Sequence, residues 1–137
     1  MSIQLDHLIV PSRDQRAAAE MLARILAVPW SKTGVGPFCP VYVNEGLTLD
    51  VDQAEREFPV LHYCFRMSET EFDALVARLQ DLGIRYRSMP HGPDDMQINT
   101  QHGGRIVYWN VPDGHVWEAL TVSYARQGDG AMSNAAR

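Results

Sequence analysis

The sequence is poor in cysteine, in clustered basic charge and in long apolar runs. Its two cysteines, Cys39 and Cys64, fit no CxxC or zinc-finger spacing, so both are expected to be small buried thiols. A formal charge of −5, a pI near 5.4 and the lack of a basic stripe argue against a nucleic-acid partner. No basic stretch followed by an apolar one precedes Ile3, and no apolar run approaches a membrane span, so neither secretion nor a membrane is suggested and a cytoplasmic location is expected. No glycine-rich phosphate loop follows any strand, which removes a dinucleotide-binding fold.

What is present is an ordinary globular composition, 45% hydrophobic and 21% charged in 137 residues, enough for one domain. IQLDHLIV, residues 3–10, reads as a strand. Ser12 with Gln15 forms a capping-box pattern, and Met21, Leu22, Ile25 and Leu26 share a helical face that Pro29 stops. FCPVYV and LTLDV then read as strands joined by the turn NEG.

The same order restarts after Pro59. VLHYCF is a strand, and Ser68 with Glu71 is a second capping box. Phe72, Leu75, Val76, Leu79 and Leu82 form a helical stripe that ends at Gly83. IRYRS, RIVYWNV and HVWEALTV follow, the last two joined by PDG. ARI at 23–25 matches ARL at 77–79, and EGLTLD at 45–50 matches DGHVWE at 113–118. Two βαβββ modules are expected, residues 1–57 and 58–124, with 125–137 a fraying tail. Each is too small to bury its sheet alone. Successive strands with short turns favour antiparallel pairing in an α+β fold.

The repeat places four polar residues in equivalent strands: His7 and His62 in the first, Asp50 and Glu118 in the last. A carboxylate inside an apolar run needs a partner, because an unpaired buried charge costs several kcal/mol. Two imidazoles and a carboxylate are a ligand set for a borderline divalent metal. The competing partners for Glu118 are Arg66 and Arg105. Tyr108 has a packing role as its alternative, and Trp30, Trp109 and Trp117 read as core. Arg105, Asn110 and Tyr124 are further candidate pocket polars.

LDHLIV, the HYCF strand and PDGHVWEAL resemble the vicinal oxygen chelate superfamily, which includes glyoxalase I, extradiol dioxygenases and bleomycin-resistance proteins. The resemblance implies two βαβββ modules forming a cup-shaped open barrel. It implies a divalent metal (Fe, Mn, Zn, Ni or Co) held by His7, His62 and Glu118. Asp50, a methylene shorter than the family's glutamate, either ligates or acts through water. The segment TQHGGRIVYWNVPDGHVWE further resembles extradiol dioxygenases and offers His102 as acid/base and Tyr108 as hydrogen-bond donor. The implied function is a metal-dependent enzyme chelating vicinal oxygens of a small substrate, dioxygenase-like or glyoxalase-like, and a homodimer. The alternative is a metal-free drug-binding protein resembling bleomycin-resistance proteins. The long segment 88–104 is the candidate lid.

Overall fold

A computed structural model describes residues 2–126. The elements run β1 (His7–Ser12), α1 (Gln15–Leu26), β2 (Cys39–Asn44), β3 (Leu47–Gln53), β4 (His62–Arg66), α2 (Glu69–Asp81), β5 (Tyr86–Arg87), β6 (Ile106–Trp109) and β7 (Val116–Leu120). They fall into two compact units. The first comprises the residues up to Leu61 with Asn110–His115, the second His62–Trp109 with the residues from Val116 onward. The fold is α+β, as expected, with one mixed sheet in each unit.

The first unit holds a sheet of order β1-β3-β2, with β1 and β3 parallel and β2 antiparallel to β3. Strand alternation sends Val10, Ser12, Leu49, Val51, Cys39 and Val41 to the buried side, where α1 lies against all three strands. The helix contributes Ala18, Ala19, Leu22, Ala23 and Ile25. The opposite face carries His7, Ile9, Thr48 and Asp50, because His7 is in register with Thr48 and Ile9 with Asp50. The βαβββ order expected of residues 1–57 is not complete: only β2 and β3 follow α1, and one isolated bridge, Trp30 to Val41, precedes them.

Two local expectations fail here for non-local reasons. β1 starts at His7 rather than Ile3, since β3 begins only at Leu47 and, of the earlier residues, only Asp6 is seen to bond it, through its carbonyl. Ser12 does not cap α1. It ends β1 opposite Gln53, and the cap moves to Asp14, whose side chain accepts from the Ala17 amide. Gln15 instead binds the carbonyls of Pro37 and Val51. The helix ends at Leu26 ahead of Pro29 because the residue before a proline avoids the helical region, and Ala27 closes it at φ 59°.

The PDG turn belongs to this unit. The Arg13 amide donates to Asp113 Oδ1, and His115, fully buried, links two chain segments. Its Nδ1 accepts from the Leu61 amide at 3.0 Å and its Nε2 lies 2.9 Å from the Pro11 carbonyl. An N–H donor on one side and a carbonyl on the other define the neutral, Nε2-protonated ring.

The second unit repeats the plan with the order β4-β7-β6-β5, β4 and β7 parallel and the rest antiparallel. Here the full βαβββ order is present. Ser68 and Glu71 form the expected capping box, and the Ser68 contacts hold the Glu71 carboxyl below its usual pKa. Gly83 takes the left-handed conformation, φ 69°, that lets the chain leave the helix. Phe72, Leu75 and Leu79 are fully buried, each stabilising the unit by roughly 1.5–3 kcal/mol. Trp117 stacks on Tyr63 at 4.7 Å and Phe65 at 6.2 Å, so Trp109 and Trp117 are core residues.

The segment 88–104 is braced rather than free. Asp95 accepts from the Ser88 amide and hydroxyl, Asn99 donates to the Ser88 carbonyl and bridges to Ile106, and the buried Arg87 guanidinium holds the Pro90 carbonyl and Asp94. This bracing runs against the lid expectation. The tail expectation from residue 127 onward lies outside the described residues.

Candidate functional site

The second sheet's register decides which side chains meet. Cys64 is opposite Glu118 on one side, and Tyr108 is opposite Glu118 on the other. His62, Cys64 and Arg66 therefore share a face with Glu118, Tyr108 and Leu120, the side away from Trp117. The first sheet has the same register: Asp50 stands opposite the residue two after His7, as Glu118 stands opposite the residue two after His62. That equivalence is the structural form of the sequence repeat.

Glu118 is fully buried, and its two oxygens have separate partners. His62 Nε2 lies 2.9 Å from Oε1, and the Tyr124 hydroxyl donates to Oε2 at 2.6 Å. Charge-assisted bonds of this length compensate a desolvated carboxylate. The alternative partners are not used: Arg105 pairs with Glu69 and Asp73, both at 2.8 Å, and lies over the Phe72 ring. No ion pair of Arg66 is found among the described residues.

Tyr108 and His102 join this cluster through Tyr124. The Tyr108 hydroxyl interacts with both Tyr124 and Glu118, and burial, ahead of those contacts, raises its pKa. Tyr124 is raised further, by burial first and then by its bond to Glu118. The His102 ring is tilted against Tyr124, centroids 5.1 Å apart. His102 gets there because Gly104 lets the chain pass close to the end of β7; a Cβ at that position would meet Thr121 Oγ1 at 2.6 Å and Val122 Cβ at 2.8 Å.

Cys64 corrects an expectation: it is exposed rather than buried. Its thiol nevertheless lies against the sheet beside Glu118, and loss of water first and the neighbouring carboxylate second push its pKa up to about 12. It remains a thiol at neutral pH and a poor nucleophile. A cavity of about 270 Å³ opens beside it, lined by Cys64, Arg66, Leu120, Ser123, Tyr124 and Ala125.

His7 and Asp50 lie in the first unit, on one face of adjacent strands. His7 Nδ1 is 2.8 Å from Asp6 Oδ2, and that bond, with smaller help from Asp50, raises the His7 pKa. Asn110 is absent from the cluster and caps the His115 carbonyl. Among the described residues no group of three or more His, Cys, Asp or Glu side chains is gathered tightly enough to hold a metal. No helix there is long and apolar enough to cross a membrane. Tyr124 is the residue the sequence undervalued. Lying beyond β7, it had no strand parity to place it.

No protein-family model matches the chain, nor does any curated protein. Solved structures do. The chain is 37% identical to the oxidase ChaP-H2, with 93% of this chain and all (100%) of that one covered at a TM-score of 0.85. It is 35% identical to the oxidase ChaP-H1, with 90% and 99% covered and a TM-score of 0.84. The fosfomycin resistance protein FosX from Mesorhizobium loti shares the fold at 19% identity, 90% and 95% coverage and a TM-score of 0.65. With that likeness across nearly the whole chain, and a first-strand histidine set against a buried last-strand glutamate, the protein belongs to the vicinal oxygen chelate superfamily.

Proposed function

We propose that this protein is a divalent-metal-dependent oxygenase that acts on a small substrate through two adjacent oxygens, with His7, His62 and Glu118 as the metal ligands. The observation that carries this reading is the convergence of His62 and Glu118 on each other, 2.9 Å apart, with the carboxylate fully buried. Imidazole and carboxylate are the donors that Fe, Mn, Zn, Ni and Co accept. The pair would supply two of the metal's ligands. A bound divalent metal supplies Lewis-acid stabilisation of charge on the substrate oxygens and, as Fe(II), the redox chemistry that O₂ requires.

The protein's own residues have distinct tasks. Tyr124 fixes the Glu118 carboxylate through Oε2 and leaves Oε1 turned toward His62. Tyr108 keeps its proton and donates a hydrogen bond to a substrate oxygen. His102, at the rim beside Tyr124, exchanges the substrate proton with solvent. Asp50, part-exposed on the His7 face, acts through a water. The likeness to proteins named oxidases favours oxygen chemistry over glyoxalase-type proton transfer.

His7 stands on an edge strand with Ile3, Leu5 and Ile9 exposed about it, which supports a homodimer in which a second copy covers that edge. The test is metal analysis of protein purified without oxygen, followed by O₂ uptake with a catechol. Stoichiometric metal, lost in His62→Ala and Glu118→Gln, is expected. Mixing His7→Ala with Glu118→Gln protein restores partial metal binding if each site draws on two copies. A protein that neither contains nor takes up metal ends this reading, and turnover of a hemithioacetal without O₂ moves it to a lyase.

A further inference from the structure

The cavity beside Glu118 has a feature the metal chemistry leaves unused. Arg66 lines it, yet no ion pair or hydrogen bond of this guanidinium is found among the described residues. The other arginines of the second unit's sheet are engaged: Arg87 by Asp94 and the Pro90 carbonyl, Arg105 by Glu69 and Asp73. In a chain of net charge −5, an exposed cation facing a cavity is well placed to receive an anion.

We propose that Arg66 is a recognition residue for a carboxylate on the substrate, set further along the sheet face that carries His62 and Glu118. The register gives the order along the face. Glu118 is opposite Cys64, and Arg66 lies two residues further along the same face, a backbone separation of about 6.6 Å at ~3.3 Å per residue. Two lining residues, Cys64 and Tyr124, touch Glu118 directly, so the cavity is continuous with the proposed centre. Of the remaining lining, Leu120, Ala125 and the Tyr124 ring are apolar and suit a flat ring, and Ser123 adds one polar group. The volume, about 270 Å³, is near the lower end for ligand pockets, which start around ~300 Å³, and admits a small aromatic acid. A planar guanidinium meets a planar carboxylate with two parallel hydrogen bonds, a geometry lysine does not reproduce.

The inference rests on the reading of His62 and Glu118 given above, and its test separates the two. Binding of 3,4-dihydroxybenzoate and of its methyl ester is measured by calorimetry on Zn(II)-treated and metal-free protein, where no turnover occurs. The acid is expected to bind wild type ~10- to 100-fold tighter than the ester, the range of a charge-assisted pair. Arg66→Gln should abolish that preference, and Arg66→Lys should keep only part of it. Glu118→Gln should weaken acid and ester alike in the Zn(II) arm and leave their ratio intact. Failure to take up metal sinks the metal reading alone, since the ratio is still read in the metal-free arm. Equal binding of acid and ester to wild type, persistence of the preference in Arg66→Gln, or no binding of the acid overturns the role of Arg66.

Discussion

Replacing Tyr124 with phenylalanine tests the arrangement around Glu118 most directly. The substitution removes one oxygen and leaves the ring that packs against His102. Glu118 Oε2 then loses the donor that stands 2.6 Å away, inside a site where the residue has no solvent exposure. A hydrogen bond to a charged group contributes about 1.5–3 kcal/mol, so that loss is expected in unfolding free energy at neutral pH. With a urea dependence of roughly 1–3 kcal/mol per molar, the midpoint falls by about 1 M. In a Glu118→Gln background the same hydroxyl meets a neutral amide, and the cost should drop to about 1 kcal/mol. The double-mutant cycle therefore predicts a coupling of about 0.5–2 kcal/mol between the two side chains. If Glu118 is a metal ligand, Tyr124→Phe also weakens metal binding by about 10- to 100-fold, the usual effect of removing an outer partner. Additive losses, with coupling below about 0.5 kcal/mol, would refute the claim that Tyr124 holds the carboxylate.

Two further outcomes are expected. His115→Ala leaves the Leu61 amide and the Pro11 carbonyl without their buried partner and should cost about 2–4 kcal/mol in urea unfolding; a loss under about 1 kcal/mol would show that the ring is not the link. The Cys64 thiol, raised from the usual value near 9 to about 12, should alkylate at pH 8 at least ~10-fold more slowly than an unfolded control, by peptide mass mapping. The unfolded chain releases this proton first, so stability should decline as pH rises between those two values, and Cys64→Ala should remove part of that decline. Fast labelling at pH 8 would count against the raised pKa.

How much of this was legible in the sequence depended on how local each signal was. The Ser68–Glu71 box and Gly83 act within a few residues, and both were readable. The identical-looking Ser12–Gln15 pair was not, because pairing with Gln53 keeps Ser12 in a strand. The Ile3–Asp6 stretch has strand composition, but of its backbone only the Asp6 carbonyl is seen to bond β3, accepting from the Thr48 amide. His62 and Glu118 are 56 residues apart, and only the internal repeat with the family resemblance brought them into one argument. Strand alternation was enough to put Cys64 on the His62 face, while in Arg66 the sequence offered only a competing partner for Glu118. That Arg105 pairs with Glu69 and Asp73, rather than with Glu118, is a choice made between distant segments.

In each half the opening strand lies alongside the closing one, β1 with β3 and β4 with β7. A chain emerging from the ribosome thus cannot complete either sheet until the half's final strand has been made. Pairings between such remote segments are slow to form. Glu118 arrives in the last strand, when His62 is already waiting for it, so the acid need not be shut away from water before its imidazole is at hand. A stop codon at or before Glu118 would accordingly take away the acid and cut short the strand that joins β4 to β6, rather than trim a dispensable end.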